Sequence, residues 1–170
     1  MIEPEEIVEA RLVELLAAAN PNIAVVGMLA PSADGTEKIA PDTSIAVTAD
    51  VSGQSFDSRV ANVPFSFSVR ITVRTAAADD ASGSTFRTAC RGVRATIAAI
   101  LGDDCTAVSA GGFTCDGVIL ENTTTGIYAD AENGGWYKTY SLAVTGRYSQ
   151  DSGTTETTET SGTDASESTT

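Results

Sequence analysis

The sequence predicts an α+β fold of two layers, a mixed β-sheet of about five strands with two helices packed on it, in the order α-β-β-β-α-β-β. Three observations carry that expectation. Val63 to Arg74, VPFSFSVRITVR, alternates apolar and polar residues without a break, the period of a strand with one buried and one wet face. Two other stretches repeat apolar residues every three to four positions, as a helix lying on a core does. The second of these separates the third and fourth strands, a crossover that permits parallel pairing. The last two strands are joined by a loop and read as antiparallel.

Residues 4–19, PEEIVEARLVELLAAA, form the first helix. Pro4 suits a first-turn position, and Glu3, Glu5 and Glu6 complement the positive end of the helix dipole. Ile7 or Val8, Leu12, Leu15 or Leu16, and Ala19 make the apolar stripe, and Asn20-Pro21-Asn22 ends it. The apolar run Ile23 to Leu29, bounded by Pro31, is the first strand, and Ser32 to Asp42 is loop. Ser44 to Ala49 is the second strand, and the polar stretch Asp50 to Asn62 connects it to the third.

The third strand, Val63 to Arg74, is overlong. Strands usually run about 3–10 residues, and this one spans roughly 40 Å at about 3.3 Å per residue. From Ser66 to Arg74 its wet face holds Ser, Thr and Arg, with no Lys, Glu or Pro to discourage edge pairing. It is expected to be the spine of the sheet and also to offer itself to a neighbouring subunit.

Asp79, Asp80, Ser82 and Ser84 offer N-caps for the second helix. Phe86, Cys90, Val93, Ile97 and Ile100 or Leu101 form its apolar stripe, with Arg87, Arg91 and Arg94 opposite and Gly102 as the stop. Phe113 to Leu120 is the fourth strand. Asn122 to Gly135 reads as a loop long enough to carry function. Trp136 to Ser149 is the last strand, again overlong. Trp136, Tyr140, Leu142, Val144 and Tyr148 share one parity, which Lys138 and Gly146 interrupt.

The chain has 170 residues, 42% of them hydrophobic, and a net charge of −13. That supports one packed core and an appendage. Residues 1–149 form the body. From Gln150 the composition shifts to an acidic Thr/Ser-rich extension, 150–170, with five acids, no base and no aromatic. Such a segment cannot bury enough apolar surface to offset its ordering entropy; its last twenty residues, fully extended, reach roughly 70 Å at about 3.5 Å per residue. No stretch approaches the ~18 apolar residues of a membrane span, and the acidic N-terminus lacks the basic start of a signal peptide. The chain is expected to be made and kept in the cytosol, away from membranes.

The inventory of chemistry is thin. The chain has no His, which excludes Ser-His and Cys-His pairs, and its three cysteines, Cys90, Cys105 and Cys115, form no CxxC. Cys90 and Cys115 lie on apolar faces and Cys105 follows two acids, so none of the three reads as a reactive thiol. Asp103, Asp104 and Asp116 lack calcium-loop spacing, and Asp130-Ala131-Glu132-Asn133-Gly134 matches that loop poorly. No phosphate-cradling glycine motif occurs. No catalytic residue, metal or cofactor is expected, and the acidity argues against gripping nucleic acid.

Interface candidates remain. Arg70 and Arg74 on the long strand and Arg87, Arg91 and Arg94 on the second helix hold half of the ten basic residues. Two readings stand: solvated faces, or a cationic face placed to meet acid on an identical neighbour, fixing register more than affinity. Trp136, Tyr137 and Tyr140 are either core or interface anchors, with Tyr137, on the opposite parity, the better anchor.

Residues 1–149 resemble the tail terminator, or tail completion, family of long-tailed phages. Three features carry the resemblance: the helix EEIVEARLVELLAAA running into IAVVGML; the strand VPFSFSVRITVR followed by the helix FRTACRGVRATIAAIL; and the closing pair FTCDGVILEN and GGWYKTYSLAVTGRY. The extension after 150 is not part of that pattern. The resemblance implies a small α+β subunit of a hexameric ring in the virion tail or neck, assembled in the host cytoplasm. Such a ring caps the tail-tube protein, ends its polymerisation and meets head–tail connector or neck proteins. DNA passes its lumen without sequence-specific binding. The runner-up is another neck or tail subunit, a head–tail stopper or tube protein; a small enzyme or a soluble adaptor is more distant. The loops 50–62 and 122–135 are the candidate contacts with tube and head, and the extension is a candidate clasp on a neighbouring ring.

Overall fold

The computed structural model describes residues 3–29, 38–54, 62–128 and 134–149. The extension from 150 onward and the middles of the two candidate contact loops, 55–61 and 129–133, lie outside the described residues. The elements are α1 (Pro4–Ala19), β1 (Ala24–Gly27), β2 (Ser44–Gln54), β3 (Asn62–Ala76), α2 (Ser84–Ile100), a 3₁₀ turn (Asp103–Val108), β4 (Phe113–Tyr128) and β5 (Gly135–Ser149). They form one mixed five-stranded sheet, in the spatial order β1-β2-β3-β5-β4, with both helices on one face. The fold class is the α+β sandwich that the sequence predicts.

The pairing differs from the expectation in two ways. The parallel pair is β1 with β2, and every other pair is antiparallel. β5 inserts between β3 and β4, so the crossover through α2 skips a position and its two strands do not touch. β3 is therefore the central strand, with β2 on one edge and β5 on the other. Neither overlong ribbon is free to be completed by a copy. The long unpaired edge belongs to β4, which the sequence does not single out because its second half, Asn122 to Tyr128, reads as loop. Backbone pairing with β5 from Asn122↔Ser141 to Tyr128↔Gly135 keeps that half extended, although Thr-Thr-Thr-Gly carries no apolar alternation. β2 likewise runs on to Gln54 along β3, past a register shift between Val51 and Gly53.

The core lies between the sheet and the helices. Phe67, Val69, Ile71 and Val73 of β3 are at most 1% exposed and meet Val8, Leu12 and Leu16 of α1, and Val93, Ile97 and Ile100 of α2. At one end an aromatic cluster closes the layer: Phe67 meets Phe113 edge-on at 5.4 Å, and Phe65 meets Tyr148 edge-on at 6.4 Å. Gly146, which breaks the apolar parity of β5, belongs to this cluster. Any Cβ there would collide with the Phe113 ring and the Thr114 carbonyl.

Polar groups fix the helices to the sheet. The buried Glu9 carboxylate accepts the amides of Leu29 (2.8 Å) and Ala49 (3.3 Å), tying α1 to the chain just past β1 and to β2. The N-cap residue of α2 is Gly83, none of the four candidates; Asp80, three residues earlier and 4% exposed, nevertheless accepts the amides of Thr85 (3.1 Å) and Phe86 (2.8 Å). Asp79 turns aside to accept the Thr43 hydroxyl at 2.8 Å. Asp80→Ala is expected to lower stability by about 1–2 kcal/mol, the range of a lost helix-capping side chain, read as a fall in the urea midpoint. Asp79→Ala, at an exposed bond, is expected to move it by less.

Candidate subunit interface

β3 is about twice as long as either helix. Fifteen residues of β3 span roughly 50 Å at about 3.3 Å each. The 16 and 17 residues of α1 and α2 span roughly 25 Å at about 1.5 Å each. Three surfaces are left over.

The first is the outer edge of β4. The Gly102 amide bonds the Val118 carbonyl at 3.0 Å, and beyond that bridge the edge from Ile119 to Tyr128 pairs with nothing among the described residues. Ile119 is 65% exposed, Leu120 38% and Ile127 76%. The strand carries two bulges, between Cys115 and Gly117 and between Leu120 and Asn122, which add twist to an edge. Glu121 is the one charged side chain on this edge, and no Lys or Pro guards it. The sequence gives Ile119 as part of a strand, but Ile127 falls in the stretch that reads as loop.

The second surface is the helix-free face. Ser66, Ser68, Arg70, Thr72 and Arg74 of β3 stand beside Tyr137, Thr139, Ser141, Ala143 and Thr145 of β5. The Thr72 and Thr139 hydroxyls meet at 3.2 Å across the strands. Arg74 reaches Asp42 at 3.8 Å, Arg147 grips Asp116 through two nitrogens at 2.8 and 3.1 Å, and Arg70 has no ion pair among the described residues. The Tyr137 ring lies over Gly126 of β4, where a Cβ would stand 2.7 Å from it. That leaves Tyr137 half-buried on the open face, the opposite side from Trp136 and Tyr140.

The third is a groove of about 240 Å³ between α2 and the β4–β5 hairpin. Arg87, Arg91 and Arg94 line one wall, Thr125 and Lys138 the other, and Tyr140 and Cys90 the floor. Lys138, which only interrupts an apolar pattern in the sequence, sits with its ammonium 5.3 Å from the Tyr140 ring centre. None of the four cations makes an ion pair among the described residues.

The eight interface candidates thus divide. Arg70, Arg74 and Tyr137 share the open face; Arg87, Arg91 and Arg94 share the groove. Tyr140 is 3% exposed and belongs to the core, as does most of Trp136. The Tyr140 hydroxyl donates to the Cys90 carbonyl at 3.4 Å.

Burial pushes the Cys90 thiol up, against the pull of the Tyr140 hydroxyl, Lys138 and Arg94. Burial, and then the neighbouring Cys105 thiol, push Cys115 up to about 12. Burial likewise raises Tyr140 to about 12, reinforced by Cys90. Among the described residues no group of three or more His, Cys, Asp or Glu side chains is placed to hold a metal, and no helix is long and apolar enough to cross a membrane.

No family model and no curated protein matches the chain. Among solved structures, a chain of the "Virion of native gene transfer agent (GTA) particle" is similar at 18% identity and a TM-score of 0.44, over 84% of this chain and 91% of that one.

The raised thiol and phenol fix the direction of a pH response. The folded state holds both protons more tightly than the unfolded chain, so the stability they contribute is complete below about pH 9 and is lost as pH climbs toward 12. The melting temperature is expected to fall through that window, and Tyr140→Phe to make the fall shallower above pH 10.

Proposed function

We propose that this chain is a structural ring subunit of a phage-type virion, which caps the tail tube, ends its polymerisation and joins the tail to the head or neck. The observation that carries the reading is the sheet that outgrows its helices: a β4 edge with exposed Ile119 and Ile127, beside a broad helix-free face of small polar residues and arginines. An unpaired edge of this length is a template for another chain. The two ends of the sheet differ, β4 at one and the short β1 on β2 at the other. A head-to-tail contact that sets β4 of one copy against the β1–β2 end of the next repeats around a ring, whereas a β4–β4 contact closes as a dimer. The resemblance of residues 1–149 to the tail terminator family supplies the ring's place in the virion. The net charge of −13 suits a lumen through which DNA slides without sticking.

The roles given to the body and the extension follow. Residues 1–149 build the ring, and the acidic extension 150–170 serves as a clasp on a neighbour. Purified protein imaged in negative stain is expected to show rings, six-fold as the resemblance implies, that seat on one end of isolated tail tubes. Ile119→Asp with Ile127→Asp is expected to shift the protein to monomer on a sizing column while its melting temperature stays within a few degrees, because both side chains are solvent-exposed in the single chain. Monomer at every concentration in the unaltered protein overturns the ring; self-stacking into long tubes assigns the chain to the tube instead.

A further inference from the structure

We propose that the groove between α2 and the β4–β5 hairpin is the receptor for the acidic extension of a neighbouring copy, so that residues 151–170 of one subunit strap onto Arg87, Arg91, Arg94 and Lys138 of the next. It rests on the assembly reading in one respect only, that a second copy is at hand.

The first argument is charge. Five of the chain's 23 acids fall in the last twenty residues with no base among them, which leaves −8 on residues 1–150. Against that acidic background the groove gathers four cations of the chain's ten, and none has a carboxylate partner among the described residues. Bringing four like charges together without counter-charge costs free energy, and an acidic strand laid between them relieves it.

The second argument is spacing. Arg87 and Arg94 are seven residues apart on α2, about 10 Å along the axis at roughly 1.5 Å per residue. The acids of the extension come as pairs three residues apart, Glu156 with Glu159 and Asp164 with Glu167. Three residues of a polyproline-II course cover about 9 Å, and its three-residue turn sets both members of a pair on one side.

The third argument is reach, and it favours the neighbour. β5 ends at Ser149, nine residues past Tyr140 on the groove floor, so the chain leaves the sheet about 30 Å from its own groove at roughly 3.4 Å per residue. Glu156, seven residues on, reaches about 25 Å at most. Glu159 reaches about 35 Å, so the first acidic pair meets its own subunit's arginines only at full stretch, and a strap that uses this pair favours a neighbour.

A zero-length carbodiimide cross-link tests this on the full chain, because it joins a carboxylate to the Lys138 ammonium only when the two touch. Equal amounts of ¹⁴N- and ¹⁵N-labelled protein are mixed before treatment, and tryptic peptides are read by mass. The expected product joins Lys138 to Glu156 or Glu159 in mixed-isotope pairs. It falls at least five-fold in 0.5 M NaCl and in Arg91→Glu with Arg94→Glu, which keeps Lys138. It also disappears in Glu156→Gln with Glu159→Gln. Products of a single isotope only, or none to Lys138, overturn the proposal. So does undiminished coupling after charge reversal, or a groove that retains a DNA oligonucleotide while the extension stays unlinked. Rings that form without the Lys138 product overturn the strap alone; a chain that stays monomeric overturns the assembly as well.

Discussion

The structure hangs on the pairing of β3 with β5. Fifteen residue pairs run in unbroken antiparallel register from Asn62↔Ser149 to Ala76↔Gly135. Because side chains alternate at a period of two, that register commits each residue over about 50 Å to one face, and a slip of one would send the whole apolar set into water. Phe67, Val69, Ile71 and Val73 go to the helices with Val144, Leu142 and Tyr140, while Ser68, Arg70, Thr72 and Arg74 go to the open face. The helices then cover as much of the buried face as their length allows. The other face stays open because both helices lie on one side, and β4 keeps a free edge because it ends the sheet.

Much of this is legible in the residues. Where one face is buried and the other wet, the alternation writes itself into the sequence, and Val63–Arg74 and Trp136–Ser149 are read within two residues of their observed bounds. The helices are equally plain, since Val8, Leu12 and Leu16, and Phe86, Val93 and Ile97, keep the helical period and all lie in the core. Strand order is not legible, because the hydrogen bonds that place β5 between β3 and β4 come from the backbone and leave no mark on composition. Nor is the second half of β4. Residues 121–125 are exposed, so no alternation has been imposed on them, and only pairing with β5 keeps them extended. The same cause hid the groove: Lys138 and Thr125 face each other across two strands, thirteen positions apart in sequence.

The interface candidates show where residue type stops being informative. Arginines on a strand and on a helix look alike in sequence, yet one set stands on an open polar face and the other faces Lys138 across a groove. Tyr137 and Tyr140 differ only in parity, and parity sends the first over Gly126 and the second into the core. In each case geometry, rather than residue type, decides which surface a side chain joins.

Amide hydrogen exchange along β4 tests the central claim most directly, because it reads the backbone edge itself. At concentrations where copies associate, the outward-facing amides between Ile119 and Tyr128 are predicted to gain protection approaching that of β5, and to lose it on dilution to monomer. Exchange on that edge that stays fast at every concentration, while the rest of the sheet is protected, would contradict the account.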